Sequence, residues 1–169
     1  MSDPVFTITR VFDAPRELVY DLWTDQKHLL QWFGPKGFTR VPGIVAEFRP
    51  GGTYHYGMRT PDGQEMWGKW VFRELKRPER LVMVQSFSDA KVGLSRHPMA
   101  PTWPLEMLSE TTFEDLGGKT RLGLRIMPHN ASPEETKTFA AAFASMEQGW
   151  GGTMEQLIPY LATKRQGRA

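Results

Sequence analysis

The sequence predicts an α+β domain in which an antiparallel meander of strands is closed by one long C-terminal helix. Three observations carry that expectation. Runs with a period of two, separated by short turn signals, fill the chain from Thr39 to Met127. A capping-box sequence at Ser132 then opens an apolar stripe at helical spacing. The 169 residues contain no cysteine, so a single domain of this size must be held by packing, with no disulfide framework.

The elements follow in order. Residues 5–12 alternate Phe6, Ile8, Arg10 and Phe12 with Thr7, Thr9 and Val11, which reads as a strand. Pro15 suits the first position of a helix, because its missing N–H would be unpaired there, and Leu18, Val19, Leu22 and Trp23 follow at helical spacing. Leu29, Leu30, Trp32 and Phe33 continue into a second short helix that Gly34-Pro35 and Gly37 end. Gly51-Gly52 separates a strand ending near Arg49 from one over Thr53 to Thr60, and Pro61-Asp62-Gly63 turns into a strand from Met66 to Leu75. Further strands run from Leu81 to Phe87, Leu105 to Leu116 and Thr120 to Met127, the last two joined at Gly117-Gly118. Such short connections leave no room for crossover helices.

One segment breaks the rhythm. Ser88 to Pro104 contains Gly93, Pro98, Pro101 and Pro104, prolines that cannot donate to a central ladder, and reads as a long loop with the apolar residues Leu94, Met99 and Trp103 available to dock. After it, Ser132-Pro133-Glu134-Glu135 starts the last helix. Phe139, Phe143, Met146, Trp150, Met154, Leu157 and Leu161 draw one apolar stripe, and a continuous helix over 133–161 would span about 43 Å. Gly149, Gly151, Gly152 and Pro159 oppose it. Glycines there either admit close packing on the sheet, divide the helix in two, or thin a wall beside a ligand.

Composition excludes several functions. Without cysteine there is no thiolate nucleophile, iron–sulfur cluster or Cys-ligated zinc. His28, His55, His97 and His129 are scattered without metal-ligand spacing, and no P-loop, dinucleotide fingerprint or nucleophile elbow occurs, so neither metal nor other cofactor is expected. The formal charge of +2 is a property of the end of the chain: without Lys164, Arg165 and Arg168 the remainder carries −1, so no nucleic-acid partner is expected. The longest apolar run, Phe139 to Ala144, is far short of a membrane span. Met1-Ser2-Asp3-Pro4 does not resemble a secretion signal, and a cytoplasmic location is expected.

The runs Phe12-Asp13-Ala14-Pro15-Arg16-Glu17-Leu18-Val19, Gln31-Trp32-Phe33-Gly34-Pro35, Phe48-Arg49-Pro50-Gly51-Gly52, Pro78-Glu79-Arg80-Leu81 and Met146-Glu147-Gln148-Gly149-Trp150 resemble the START-like (SRPBCC) superfamily, which includes polyketide cyclases. Within it the chain is similar to bacterial proteins related to the C-terminal domain of the activator of the heat-shock-protein-90 ATPase. The resemblance covers about residues 5–162. It implies a helix-grip fold: a curved antiparallel sheet of six or seven strands wrapped around the long helix, with two short helices after the first strand. It also implies a single domain over 1–163, with 164–169 left as a basic flexible tail, and a cavity between sheet and helix for a hydrophobic small molecule. The co-chaperone role of the eukaryotic domain does not carry over.

Counting along the strands places the candidate site. Even positions of the fourth strand turn Trp70 and Phe72 inward, and the same parity favours Tyr54, Tyr56 and Met58 over His55 and Arg59. Leu124 and Met107 face the same interior, opposite Met146, Trp150 and Met154, and Trp32 completes the set. With Leu94, Met99 and Trp103 as a lid, these residues are the expected cavity wall; a closed core is the alternative for each. Three functions stay open. The chain binds a lipid, polyketide or aromatic metabolite; or it is a cyclase or dehydratase that uses Tyr54, Tyr56 or His55 for proton transfer; or it is a chaperone-type interaction domain with an apolar patch on its convex face. Glu110 and Arg125 are placed on the solvated face. A homodimer remains open.

Overall fold

A computed structural model describes residues 4–97 and 100–166. The order of elements is β1 (Phe6–Phe12), α1 (Arg16–Trp23), α2 (Gln26–Trp32), β2 (Thr39–Ala46), β3 (Thr53–Arg59), β4 (Glu65–Lys76), β5 (Arg80–Ser88), β6 (Glu106–Asp115), β7 (Thr120–His129), α3 (Pro133–Ala140) and α4 (Phe143–Gln166). One seven-stranded sheet in the order β1-β7-β6-β5-β4-β3-β2, antiparallel throughout, packs against α4 in the helix-grip arrangement. Hairpins join β2 through β7 in sequence order, and the two short helices occupy the passage between the edge strands β1 and β2.

The sheet's inner face is the core. Phe72, Met83, Ser109, Ile126 and Phe6 form one row in register across β4, β5, β6, β7 and β1, and all are buried. Leu81, Thr111, Leu124 and Ile8 form the next row. α1 and α2 cover one end, where the Trp23 and Trp32 rings meet edge to face at 4.9 Å and Trp32 Nε1 donates to the Leu22 carbonyl at 3.0 Å. Arg40 donates to the Phe33 and Trp32 carbonyls at 2.8 and 2.9 Å, closing the C-terminal end of α2.

The C-terminal helix differs from a single rod over 133–161. The capping box forms as read, with Glu135 N–H donating to Ser132 Oγ at 3.1 Å and Ser132 N–H donating to Glu135 Oε1 at 2.8 Å. But α3 ends at Ala140, and Ala142 N–H bonds the Phe139 carbonyl three residues back, a tighter turn that separates it from α4, which starts at Phe143. The turn lets Phe139 reach Trp103 at 5.5 Å while Phe143 meets Phe6 at 5.7 Å. Through Gly149 to Gly152, by contrast, α4 is unbroken. A Cβ at Gly149 or Gly152 would meet nothing within 4 Å, so neither glycine is there for close packing on the sheet. The helix also runs past residue 161 to Gln166, and Arg165 donates to the Asp13 carbonyl at 2.7 Å; 167–169 lie outside the described residues.

Candidate functional site

Where the inner face of β3, β4 and β5 parts from α4, it leaves a cavity of about 560 Å³. Register sets the rows of the sheet at and beneath it. Tyr54, Trp70, Gln85 and Met107 lie side by side on β3 to β6, and Tyr56, Gly68 and Phe87 form the neighbouring row. Gly68 makes the second row possible: a Cβ there would lie 2.6 Å from Tyr56 Cζ and Oη, so the glycine gives the phenol ring its place across β4. Tyr56 stacks on Tyr54 at 5.4 Å and meets Phe33 edge-on at 5.7 Å. Phe33 is the hinge of this wall. It follows the last residue of α2 in extended backbone, which turns its ring off the helical face to contact Trp70 at 5.2 Å and Trp150 of α4 at 6.0 Å.

The roof comes from α4 and the 88–104 loop. Met146, Gly149, Trp150 and Thr153 line the helical side. From the loop, His97, Ala100 and Trp103 line the cavity; the His97 ring packs on Phe87 at 4.7 Å and Trp103 packs on Phe139. Thr102 and Thr138 join their hydroxyls at 2.8 Å, and Arg96 forms an ion pair with Glu135, so α3 holds this part of the loop in place.

Among the described residues the lining contains no Asp, Glu, Lys or Arg. Burial pushes the Tyr56 phenol up to about 12, against a hydrogen bond from Trp70 that favours the phenolate, so it stays protonated at neutral pH. Burial likewise holds the His97 imidazole below its ordinary value, in the neutral form. The site is therefore an uncharged apolar chamber with a few polar side chains: a phenol, an imidazole, the Gln85 amide and hydroxyls. Among the described residues no group of three or more His, Asp or Glu side chains is placed to hold a metal ion.

The expected cavity wall divides in two. Tyr56, Met58, Met107, Met146 and Trp150, with Trp103 of the loop, come together on the cavity. Trp32, Tyr54, Trp70, Phe72, Leu124 and Met154 do not line it: each is at most 2% exposed and lies in the closed core beneath. Their parity is inward, but the rows around them are filled by neighbouring rings and by α1 and α2. Leu94 is exposed and pairs in a bridge with Ser88, away from the lining; Met99 lies outside the described residues. Of the proton-transfer candidates, Tyr54 is packed in the core; Glu110 and Arg125, expected on the solvated face, pair with each other at 3.1 Å. His55 has outward parity yet is fully buried. Its ring stacks on Trp67 at 5.0 Å, accepts from Ile44 N–H at 3.1 Å and pairs with the Asp89 carbonyl at 2.8 Å, because the backbone at Gly43 crosses directly over it. Sequence parity missed Phe33, Gln85, Phe87 and His97 as cavity residues. β5 is buried on both faces, with Val82, Val84 and Ser86 buried along with Leu81, Met83 and Gln85, so alternation gave no signal for Gln85 or Phe87.

Residues 13–162 match the family model described as Activator of Hsp90 ATPase homolog 1-like protein, so the chain belongs to that family. Solved structures share the fold. A solution NMR structure of an Arthrobacter aurescens protein is 26% identical with a TM-score of 0.77, over 94% of this chain and 86% of that one. A Mycobacterium smegmatis crystal structure gives 24% identity and a TM-score of 0.75, covering 93% and 90% of the two chains. The AHSA1 protein of Silicibacter pomeroyi gives 19% and 0.73, over 95% and 99%. No curated protein sequence matches the chain. No helix among the described residues is long and apolar enough to cross a membrane.

Proposed function

We propose that this member of the Activator of Hsp90 ATPase homolog 1-like family binds an apolar small molecule in the cavity between its sheet and α4. The observation that carries the reading is the lining itself: about 560 Å³ bounded by Phe33, Tyr56, Phe87, Trp103, Trp150 and methionines, with no ionised side chain. Volumes of this order and predominantly apolar walls with a few polar groups are what small-molecule sites share. Aromatic rings offer flat contact and methionine adapts its shape, a combination that suits a bulky hydrophobic occupant. Native mass spectrometry of protein purified without heating, with Nile red uptake as a second readout, tests this. A bound species or dye uptake that Met146→Trp removes while the fold persists supports the reading; no bound species and no uptake by the unaltered protein sinks it.

A second reading has one observation in its favour. Tyr56, held as a phenol, and His97, held as a neutral imidazole, both line the cavity, so a proton donor and a proton acceptor face one occupant. A cyclase or dehydratase of this kind would lose turnover in Tyr56→Phe and His97→Gln while still binding its substrate. The interaction-domain reading gains less. Of the large exposed apolar residues among those described, Val11 and Ile44 sit on β1 and β2, the opposite edges of the sheet, Leu94 on the 88–104 loop and Ile158 on α4.

A further inference from the structure

Gln85 is out of place in a row that is otherwise apolar. The inward positions of β5 are Leu81, Met83, Gln85 and Phe87, and register sets Gln85 between Trp70 on β4 and Met107 on β6. It is 8% exposed and lines the cavity. A carboxamide offers two donors and two acceptor lone pairs. Among the described residues Gln85 makes one hydrogen bond, from Nε2 to the Met83 sulfur at 3.9 Å, and its Oε1 makes none. Sulfur is a weak acceptor, and Oε1 is not sealed from the cavity, so the amide turns most of its hydrogen-bonding capacity to that space, where leucine or methionine would offer none. Among the described residues none of the hydroxyls in the lining bonds to Gln85, and the indole N–H of Trp103 is a second lining group without a partner.

The charge of the lining limits what can answer it. A carboxylate or ammonium brought into this chamber would shed its water with no Asp, Glu, Lys or Arg to compensate. An uncharged molecule loses nothing comparable. Gln85 Oε1 then takes a donor from it, and Nε2 exchanges its sulfur contact for an oxygen or nitrogen acceptor.

We propose that the cavity takes an uncharged apolar molecule bearing a hydroxyl or N–H group, and that Gln85 is the residue that reads that group. The inference rests on the reading that the cavity binds a small molecule and adds the charge and the polar handle of the occupant. It excludes fatty acids and other anions as ligands held inside the chamber.

Isothermal titration of the full chain at pH 7.5 with 2-naphthol, 2-methoxynaphthalene and 2-naphthoic acid separates the terms, because the three share one bicyclic body. The unaltered protein is expected to bind 2-naphthol about tenfold or more tightly than the ether, which has no donor, and 2-naphthoate more weakly still. In Gln85→Leu the naphthol and the ether should bind alike, with the ether's affinity kept. A preference for naphthol that survives Gln85→Leu overturns the proposal. So does 2-naphthoate binding the unaltered protein as tightly as 2-naphthol, an arm that needs no variant to fold. Equal binding of all three leaves the cavity reading standing and removes the role of Gln85; binding of none, together with no Nile red uptake, removes both.

Discussion

Gly68→Ala tests the wall of the cavity at its tightest point. An alanine Cβ would sit 2.6 Å from Tyr56 Cζ and Oη and 3.0 Å from Cε2, against ordinary carbon contacts near 3.5 Å. The ring must therefore move by about 1 Å; Tyr54, Phe33 and Trp70 bound it at centroid distances of 5.4, 5.7 and 5.5 Å and leave the cavity as the side toward which it can give. Overpacking of this kind costs about 1–3 kcal/mol, partly offset by about 0.5–1 kcal/mol from the smaller entropy of an alanine in the unfolded chain. The net expectation is a loss of about 1–2 kcal/mol, equivalent to a Tm lowered by about 2–8 °C for a chain of this length. Urea denaturation of a double-mutant cycle with Tyr56→Ala checks it. With the ring gone the clash is gone, so Gly68→Ala should become neutral or stabilising in that background, a coupling of about 1–3 kcal/mol. The reasoning is refuted if Gly68→Ala costs the same in both backgrounds, since the penalty would then not come from Tyr56.

Gly149→Ala should do the reverse and stabilise by up to about 1 kcal/mol, because α4 is regular there and a Cβ meets nothing within 4 Å; a lowered Tm would contradict that geometry. Ser132→Ala removes the acceptor of the α3 capping box and should cost about 1 kcal/mol in thermal unfolding, with faster amide exchange at Glu135. His55→Leu leaves Ile44 N–H and the Asp89 carbonyl without their partner, and hydrogen exchange should rise at both Ile44 and the 89–95 segment; a rise at only one would separate the two tethers. Burial lowers the pKa of His97 and of His28, so near and below pH 6.5 the unfolded chain binds more protons than the folded one. Their contribution is fully present above about pH 6.5 and is lost as pH falls through the folded values. Tm should drop between pH 7 and pH 5, and less steeply in the His28→Gln, His97→Gln double variant.

The sequence carried the sheet faces wherever one side of a strand is polar. On β4, β6 and β7 the alternation is clean, and Trp70, Phe72, Phe113, Leu122 and Leu124 are buried as parity requires. It failed on β5, where Val82 and Val84 are buried along with Met83, so nothing local marks Gln85 as facing the cavity. It failed at the α3–α4 turn as well, because Ala140, Ala141 and Ala142 are the strongest helix formers and the break is imposed by where Phe139 and Phe143 must land. Parity also could not separate cavity wall from closed core. Tyr54 and Tyr56 share a face two residues apart, yet only Tyr56 borders open space, a difference decided by Phe48 packing on Tyr54 from outside β3. His55 is the complementary case: its outward position is local, but its burial depends on Gly43 and Asp89, which reach it from other segments.

β3 and β4 are clamped by one device used on both faces. Inside, Tyr56 lies across Gly68; outside, Trp67 lies across Gly57, where a Cβ would be 2.8 Å from the indole, and Trp67 in turn stacks on His55. Each ring covers a glycine on the neighbouring strand, so the pair is rigid exactly where it floors the cavity, and the ladder from Thr53↔Val71 to Arg59↔Glu65 runs without a bulge. The loop that roofs the cavity begins on the outer side of this clamp, where Asp89 meets His55, and returns to the inner side at His97 and Trp103. Its outer end is held by a buried imidazole; its inner end is held by Arg96 to Glu135 and Thr102 to Thr138, contacts between side chains at or near the surface. Exposed ion pairs and hydroxyl pairs are worth at most about 1 kcal/mol each, far less than a strand ladder.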